Sequence, residues 1–171
     1  MVLLFLHGAG GYDEDRALAD AIAGELRQPV EYPRLPDDDM SVEHQTRFVR
    51  ASLDAVGPDD FVVAHSFGAT MLLHILAEGE RDAPQRVTLL AMPDWSPEGW
   101  DVADYAFTGP EPAQTISLHH CRDDEVVEFA HLALNARRLS HAVLHAHDCG
   151  GHQFAGLAPE IAHDLSGAPH R

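Results

Sequence analysis

Ala64-His65-Ser66-Phe67-Gly68 is the stretch that decides the fold, a small-x-Ser-x-Gly pentad between two apolar segments. Upstream, Phe61-Val62-Val63 reads as a short buried strand; downstream, residues 69–76 are apolar nearly all round, as in a helix buried behind a sheet. A strand that enters a helix through so tight a turn holds its central residue in a strained backbone conformation and leaves room only for small neighbours. Ala64 and Gly68 meet that demand. Such a turn presents a serine for attack, whereas the plainer reading is a serine that caps the helix.

Working outward, apolar strands alternate with amphipathic helices. Strands are predicted near 2–6, 30–32, 61–65, 86–91, 115–120 and 142–146. Helical spacing appears in Leu18, Ile22 and Leu26, in Val42, Gln45, Val49, Leu53 and Val56, and across Val126 to Leu139. A last short helix runs from Pro159 to Leu165, with proline in its first turn. This alternation, with near-continuous apolar strands, predicts an α/β protein: a three-layer α/β/α sandwich on a mostly parallel sheet of about six strands. The length predicts one domain, residues 1–165, followed by a frayed tail at 166–171. Residues 93–113 break the pattern with four prolines and with Trp95, Trp100, Tyr105 and Phe107, and form the candidate functional loop.

Charge and cysteine content narrow the classes of function. The 28 acidic residues face 11 basic ones, all arginine and nowhere clustered, a balance that repels phosphate backbones and anionic lipids. Nucleic acid and membrane are therefore not expected as partners. The acidic excess reads as a solubilising surface, and the Asp37-Asp38-Asp39 run as part of a solvated loop. No apolar run reaches membrane-spanning length, and Met1–Leu6 reads as a core strand without a basic leader, so a cytoplasmic location is the expectation. Cys121 and Cys149 are too few for a disulfide framework and read as free thiols in a reducing compartment.

In parallel sheets ligands bind beyond the carboxyl ends of the strands, and here those positions carry chemistry. His7-Gly8-Ala9-Gly10-Gly11 follows the first strand, a glycine-rich turn whose backbone N–H groups could hold an oxyanion. Ser66 follows the third strand, Cys121-Arg122-Asp123-Asp124-Glu125 the fifth, and His147-Asp148-Cys149-Gly150-Gly151-His152 the sixth. A nucleophile, an acid and a histidine thus occur in the order Ser, Asp, His.

With these motifs the chain resembles the α/β-hydrolases. More narrowly, it is similar to the short, lidless serine hydrolases of the retinoblastoma-binding-protein-like group, over nearly its whole length. His7-Gly8 matches that family's oxyanion turn, Ser66 its nucleophile, Asp124 the acid before a Val-Val pair, and Gly151-His152 the terminal Gly-His. Ala64 replaces the usual glycine and Glu128 stands where a proline often follows the Val-Val; neither removes a reacting group. The resemblance implies a catalytic triad of Ser66, Asp124 and His152, with the backbone N–H groups of Ala9 and Phe67 as the oxyanion hole. A serine hydroxyl needs a base to take its proton, imidazole can take and return it, and a carboxylate holds the imidazole in the right tautomer.

Other assignments stand beside this one. Asp123 is the alternative acid, its plain reading a helix cap; Asp94 follows the fourth strand, and Asp148 reads as a loop residue. His7, His65, Trp95 and Trp100 are candidate pocket residues, the histidines read first as structural and the tryptophans equally as packing. His145, His147, Asp148, Cys149 and His152 have ligand chemistry for zinc, with 145 and 147 on one strand face, but no second cluster of metal-ligand spacing accompanies them. The expectation is thus no metal and no cofactor. With about twenty residues between the fourth and fifth strands there is no large lid, and the expected activity is a carboxylesterase acting on small to medium esters, with thioesters and amides possible. The alternatives are a non-catalytic binding module on the same fold and a metal-dependent hydrolase built on the His145, His147 and His152 region.

Overall fold

The computed structural model describes residues 1–79 and 84–167. Strand β1 (Leu3–Leu6) is buried at every position. Its side chains alternate: Leu3 and Phe5 join one apolar layer, Leu4 and Leu6 the other. The strands that follow are β2 (Val30–Glu31), β3 (Phe61–His65), β4 (Arg86–Leu90), β5 (Thr115–Cys121) and β6 (Val143–His147). They form one six-stranded sheet in the order β2-β1-β3-β4-β5-β6, and every pairing in it is parallel. The expected three-layer α/β/α sandwich on a sheet of six strands is therefore what the chain builds.

Among the described residues five helices cover the two faces: α1 (Arg16–Leu26), α2 (Val42–Leu53), α3 (Phe67–Leu76), α4 (Ala130–Arg138) and α5 (Ala158–Leu165). Leu18, Ala19 and Ile22 of α1 pack with Ile161 and Leu165 of α5 against Leu3, Phe5 and Val63. On the opposite face Val49 and Leu53 of α2, Leu72 and Leu76 of α3 and Leu132 of α4 cover Leu4, Val62 and Leu89. Helix α3 is buried at every position except His74, as its unbroken apolar sequence requires. No helix among the described residues is long and apolar enough to cross a membrane.

Two segments depart from expectation. The helix expected from Val126 begins only at Ala130, because the backbone N–H groups of Val126 and Val127 donate to Asp124 Oδ1 at 2.8 and 2.9 Å and are held in a turn. Residues 93–113 hold a single 3-10 turn, Ala103–Tyr105, and an aromatic cluster in which Trp95 meets Phe67, Trp100 and Tyr105 edge-on. Helix α5 ends at Leu165 as expected; of the tail expected at 166–171, residues 168–171 lie outside the described residues.

The chain runs from β1 outward to β2 and then crosses back to place β3 on the other side of β1. This reversal leaves a crevice at the carboxyl ends of β1 and β3, the place where open parallel sheets bind ligands. His7-Gly8 and Ser66 stand at its two lips.

Candidate active site

The turn from β3 into α3 holds Ser66 at φ 51° and ψ −120°, in the positive-φ region that side chains seldom occupy. The Ser66 side chain makes no capping hydrogen bond, so the helix-cap reading of this serine does not describe it. Gly68 is obligatory: a Cβ there would collide with the His7 carbonyl oxygen and lie 2.8 Å from that of Leu6. The first turn also approaches tightly, since a Cβ on Gly8 would stand 3.2 Å from Ser66 Cβ. Small residues at 8 and 68 thus let the glycine turn reach the serine.

Beyond β5 three consecutive carboxylates grip the loop that carries His152. Asp124 is fully buried and accepts from His152 Nδ1 at 2.9 and 3.1 Å while also accepting from the Val126 and Val127 N–H groups. Burial opposes ionisation of Asp124, but the hydrogen bonds from His152 and these two amides outweigh it and lower its pKa. Because Nδ1 donates to this carboxylate, Nε2 of His152 is left as the lone-pair atom. Asp123 does not reach the imidazole; it accepts from the Gly150 and Gly151 N–H groups at 3.2 and 2.9 Å. Glu125 accepts from the His152 N–H at 3.3 Å.

A cleft of about 260 Å³ is lined by Ala9, Ser66, Phe67, Trp95, Trp100 and His152, among others. Ser66 and His152 share it without a direct hydrogen bond among the described residues, and neither the Ala9 nor the Phe67 N–H is engaged there by a described residue. Trp95 is fixed by a 2.9 Å hydrogen bond from Nε1 to Thr70 Oγ1, while Trp100 is 39% exposed at the rim. His65 lies at the floor with both ring nitrogens held, Nδ1 at 2.8 Å from Asp15 Oδ2 and Nε2 at 2.8 Å from the His152 carbonyl oxygen. His7 is buried beside the glycine turn, its Nδ1 donating to the Gly8 carbonyl and its Nε2 accepting from the Leu35 N–H; burial lowers its pKa.

The other candidates lie elsewhere. Asp94 is buried against Ser96, accepting from both its N–H and its hydroxyl, with Arg138 at 3.7 Å. Asp148 is almost fully exposed and pairs with Arg122 at 3.4 Å. Cys121 is buried and Cys149 exposed, both as free thiols, and burial pushes the Cys121 thiol up to about 12. The imagined metal cluster of 145, 147 and 152 is not assembled: His152 is paired with Asp124, whereas His145 and His147 face His119 on the α5 side of the sheet.

No protein-family model matches the chain, and no curated protein sequence matches it. Solved structures do. The ydeN gene product of Bacillus subtilis superposes with a TM-score of 0.70 at 16% identity, covering 98% of this chain and 99% of its own. Arabidopsis thaliana SOBER1 gives 0.70 at 18% identity over 96% of each chain. Est1E from Butyrivibrio proteoclasticus gives 0.71 at 15% identity over 97% of this chain and 85% of its own. A Xanthomonas campestris protein described as a putative hydrolase of the α/β superfamily gives 0.65 at 18% identity over 97% of this chain and 96% of its own. The chain has the α/β-hydrolase fold.

Within this α/β-hydrolase fold, one central residue carries no motif. Asp15, at the start of α1, makes no capping bond with its own helix. It accepts instead from the Gly8 N–H at 2.8 Å, from His65 Nδ1 at 2.8 Å and from Gln153 Nε2 at 2.9 Å. Burial opposes its ionisation, yet the hydrogen bond and attraction from His65 and the bonds from Gly8 and Gln153 prevail, bringing its pKa to about 2. One carboxylate thereby joins the glycine turn, the residue before the serine and the residue after His152. In sequence, an aspartate ahead of a helix after a glycine run looks like any N-cap.

Proposed function

We propose that this protein is a serine hydrolase of the short, lidless kind, cleaving carboxylic esters through an acyl-enzyme on Ser66. The observation that carries the reading is the buried Asp124–His152 pair, 2.9 Å apart, whose histidine lines the same cleft as a serine held at φ 51°. In this mechanism Ser66 Oγ attacks the ester carbonyl as its proton passes to His152 Nε2. Asp124 keeps Nδ1–H bound and stabilises the imidazolium. The N–H groups of Ala9 and Phe67 receive the oxyanion, a role in which each donor is worth about 10²–10³ in rate. His152 then gives the proton to the departing alcohol, and water, activated by the same imidazole, releases the acid and restores Ser66.

The cleft, of about 260 Å³, favours substrates of modest size, with Trp95 and Trp100 offering apolar contact and Glu14 a negative charge. Small to medium uncharged esters fit this lining better than anionic ones. A fluorophosphonate probe with p-nitrophenyl acetate turnover tests the reading. Labelling and turnover are expected in the natural chain, with both lost in Ser66→Ala of unchanged thermal stability. A natural chain that neither labels nor turns over would instead be a binding module on this fold.

A further inference from the structure

Under α5 the sheet abandons its apolar pattern. Register pairs His119 of β5 with His145 of β6, and Cys121 with His147, so that these side chains face the same layer. His119 is 1% exposed, its ring stacked on His145 with centroids 4.2 Å apart and planes 12° apart. Helix α5 lays Asp164 across the pair: Oδ2 is 3.2 Å from His119 Nε2, and Oδ1 is 3.3 Å from His145 Nε2. His145 Nε2 is shielded from solvent and, although Asp164 Oδ1 lies within ion-pair distance, it makes no hydrogen bond among the described residues. A buried nitrogen left so is unfavourable unless something else binds it.

We propose that His119, His145 and Asp164 form a binding site for a divalent transition-metal ion of the zinc type, separate from the serine cleft. One ligand atom from each of the three lies within 4.8 Å of the others. Nitrogen and oxygen ligands about 2.0–2.1 Å from a tetrahedral ion stand roughly 3.3 Å apart. Each imidazole already stands near that spacing from one oxygen of the carboxylate, 3.2 Å for His119 with Oδ2 and 3.3 Å for His145 with Oδ1. An imidazole bound through one nitrogen needs an outer partner for the other. His119 has it: Nδ1 is 3.0 Å from His147 Nε2, which can accept the Nδ1 proton once Nε2 holds the ion. A groove of about 370 Å³, rimmed by Glu160 and His163, gives an entry path and room for a water in the fourth position. Two imidazoles and one carboxylate select zinc-like ions over magnesium and calcium, which prefer oxygen alone.

The site ties β5 and β6 to α5, on either side of the loop that bears His152. Phe154, in that loop, sets its ring edge-on to both His147 and His65, at 6.1 and 6.2 Å. An ion bound only by the folded chain raises its stability by mass action.

The test uses the full chain, stripped with a chelator and titrated with zinc chloride by calorimetry and thermal denaturation. One ion per chain and a higher Tm are expected, with magnesium and calcium producing neither. His145→Ala and Asp164→Asn should each weaken binding by at least about tenfold, the loss that even outer partners of a ligand can cause, whereas Cys149→Ser should leave it unchanged. Zinc affinity preserved in both variants would assign the ion to other histidines and overturn the proposal. Should either variant fail to fold, cobalt(II) bound to the natural chain decides the matter. Intense tetrahedral visible bands without a thiolate charge-transfer band support the site; weak octahedral bands, or a thiolate band, overturn it.

Discussion

Asp123, Asp124 and Glu125 are neighbours in sequence with three different partners: two glycine amides, the His152 imidazole and the His152 amide. Only the middle one touches the ring, so substitutions that keep shape and remove charge separate their roles. Asp124→Asn is expected to lower kcat/KM for an ester by about 10³-fold or more, because the amide no longer holds the imidazole tautomer or stabilises its cation. Asp123→Asn should cost far less, since it only weakens two contacts to the loop. Steady-state kinetics on both variants checks this, and equal losses would count against Asp124 as the acid. The sequence favoured Asp124 through its resemblance to a family motif and kept Asp123 as the alternative, since the direction of successive side chains in a turn is not encoded by any local pattern. Asp15 was not legible, because its partners Gly8, His65 and Gln153 come from three separate parts of the chain.

At the scale of elements, the β3–α3 turn and the β1 turn meet through missing side chains. Gly68→Ala would press a methyl group onto the Leu6 and His7 carbonyl oxygens, and backbone cannot swing aside as a side chain can. We expect a loss of about 1–3 kcal/mol in stability, the usual cost of overpacking, with loss of probe labelling at Ser66. Gly24→Ala is the internal contrast. In α1 its Cβ would meet nothing within 4 Å, so stability should rise by about 0.5–1 kcal/mol through helix propensity alone. Urea titrations of the two variants give both figures. Helix α3 was legible because every face of it is buried and its sequence is correspondingly apolar. The start of α4 was not, since the apolar spacing through Val126 and Val127 is genuine but the Asp124 carboxylate claims their amides first.

For the molecule as a whole, the ionised Asp15 makes stability depend on acidity. Its carboxyl titrates at about 2 in the folded chain, below the value of about 3.9 for an unfolded one, so the unfolded state binds protons more readily. The resulting contribution, about 2 kcal/mol, is fully present above pH ~4 and fades as pH falls towards 2. Asp124, lowered in the same direction, adds to this trend. Urea midpoints measured from pH 5 down to pH 2.5 should therefore fall more steeply for the natural chain than for Asp15→Asn. Parallel curves would show that the carboxylate gains nothing from its partners. The parallel sheet was legible from strand apolarity, but the strand order was not, nor the meeting of His119 and His145 with Asp164, which depends on where α5 settles. Asp15 has one more consequence, for anyone who would move this chemistry to another scaffold. Grafting serine, histidine and their acid alone would transplant three loops without the buried anion that fastens the glycine turn to the residue before the serine and the residue after His152. On the proposed mechanism, the smallest transferable unit is the three proposed catalytic residues together with that fourth residue and the helix start that carries it.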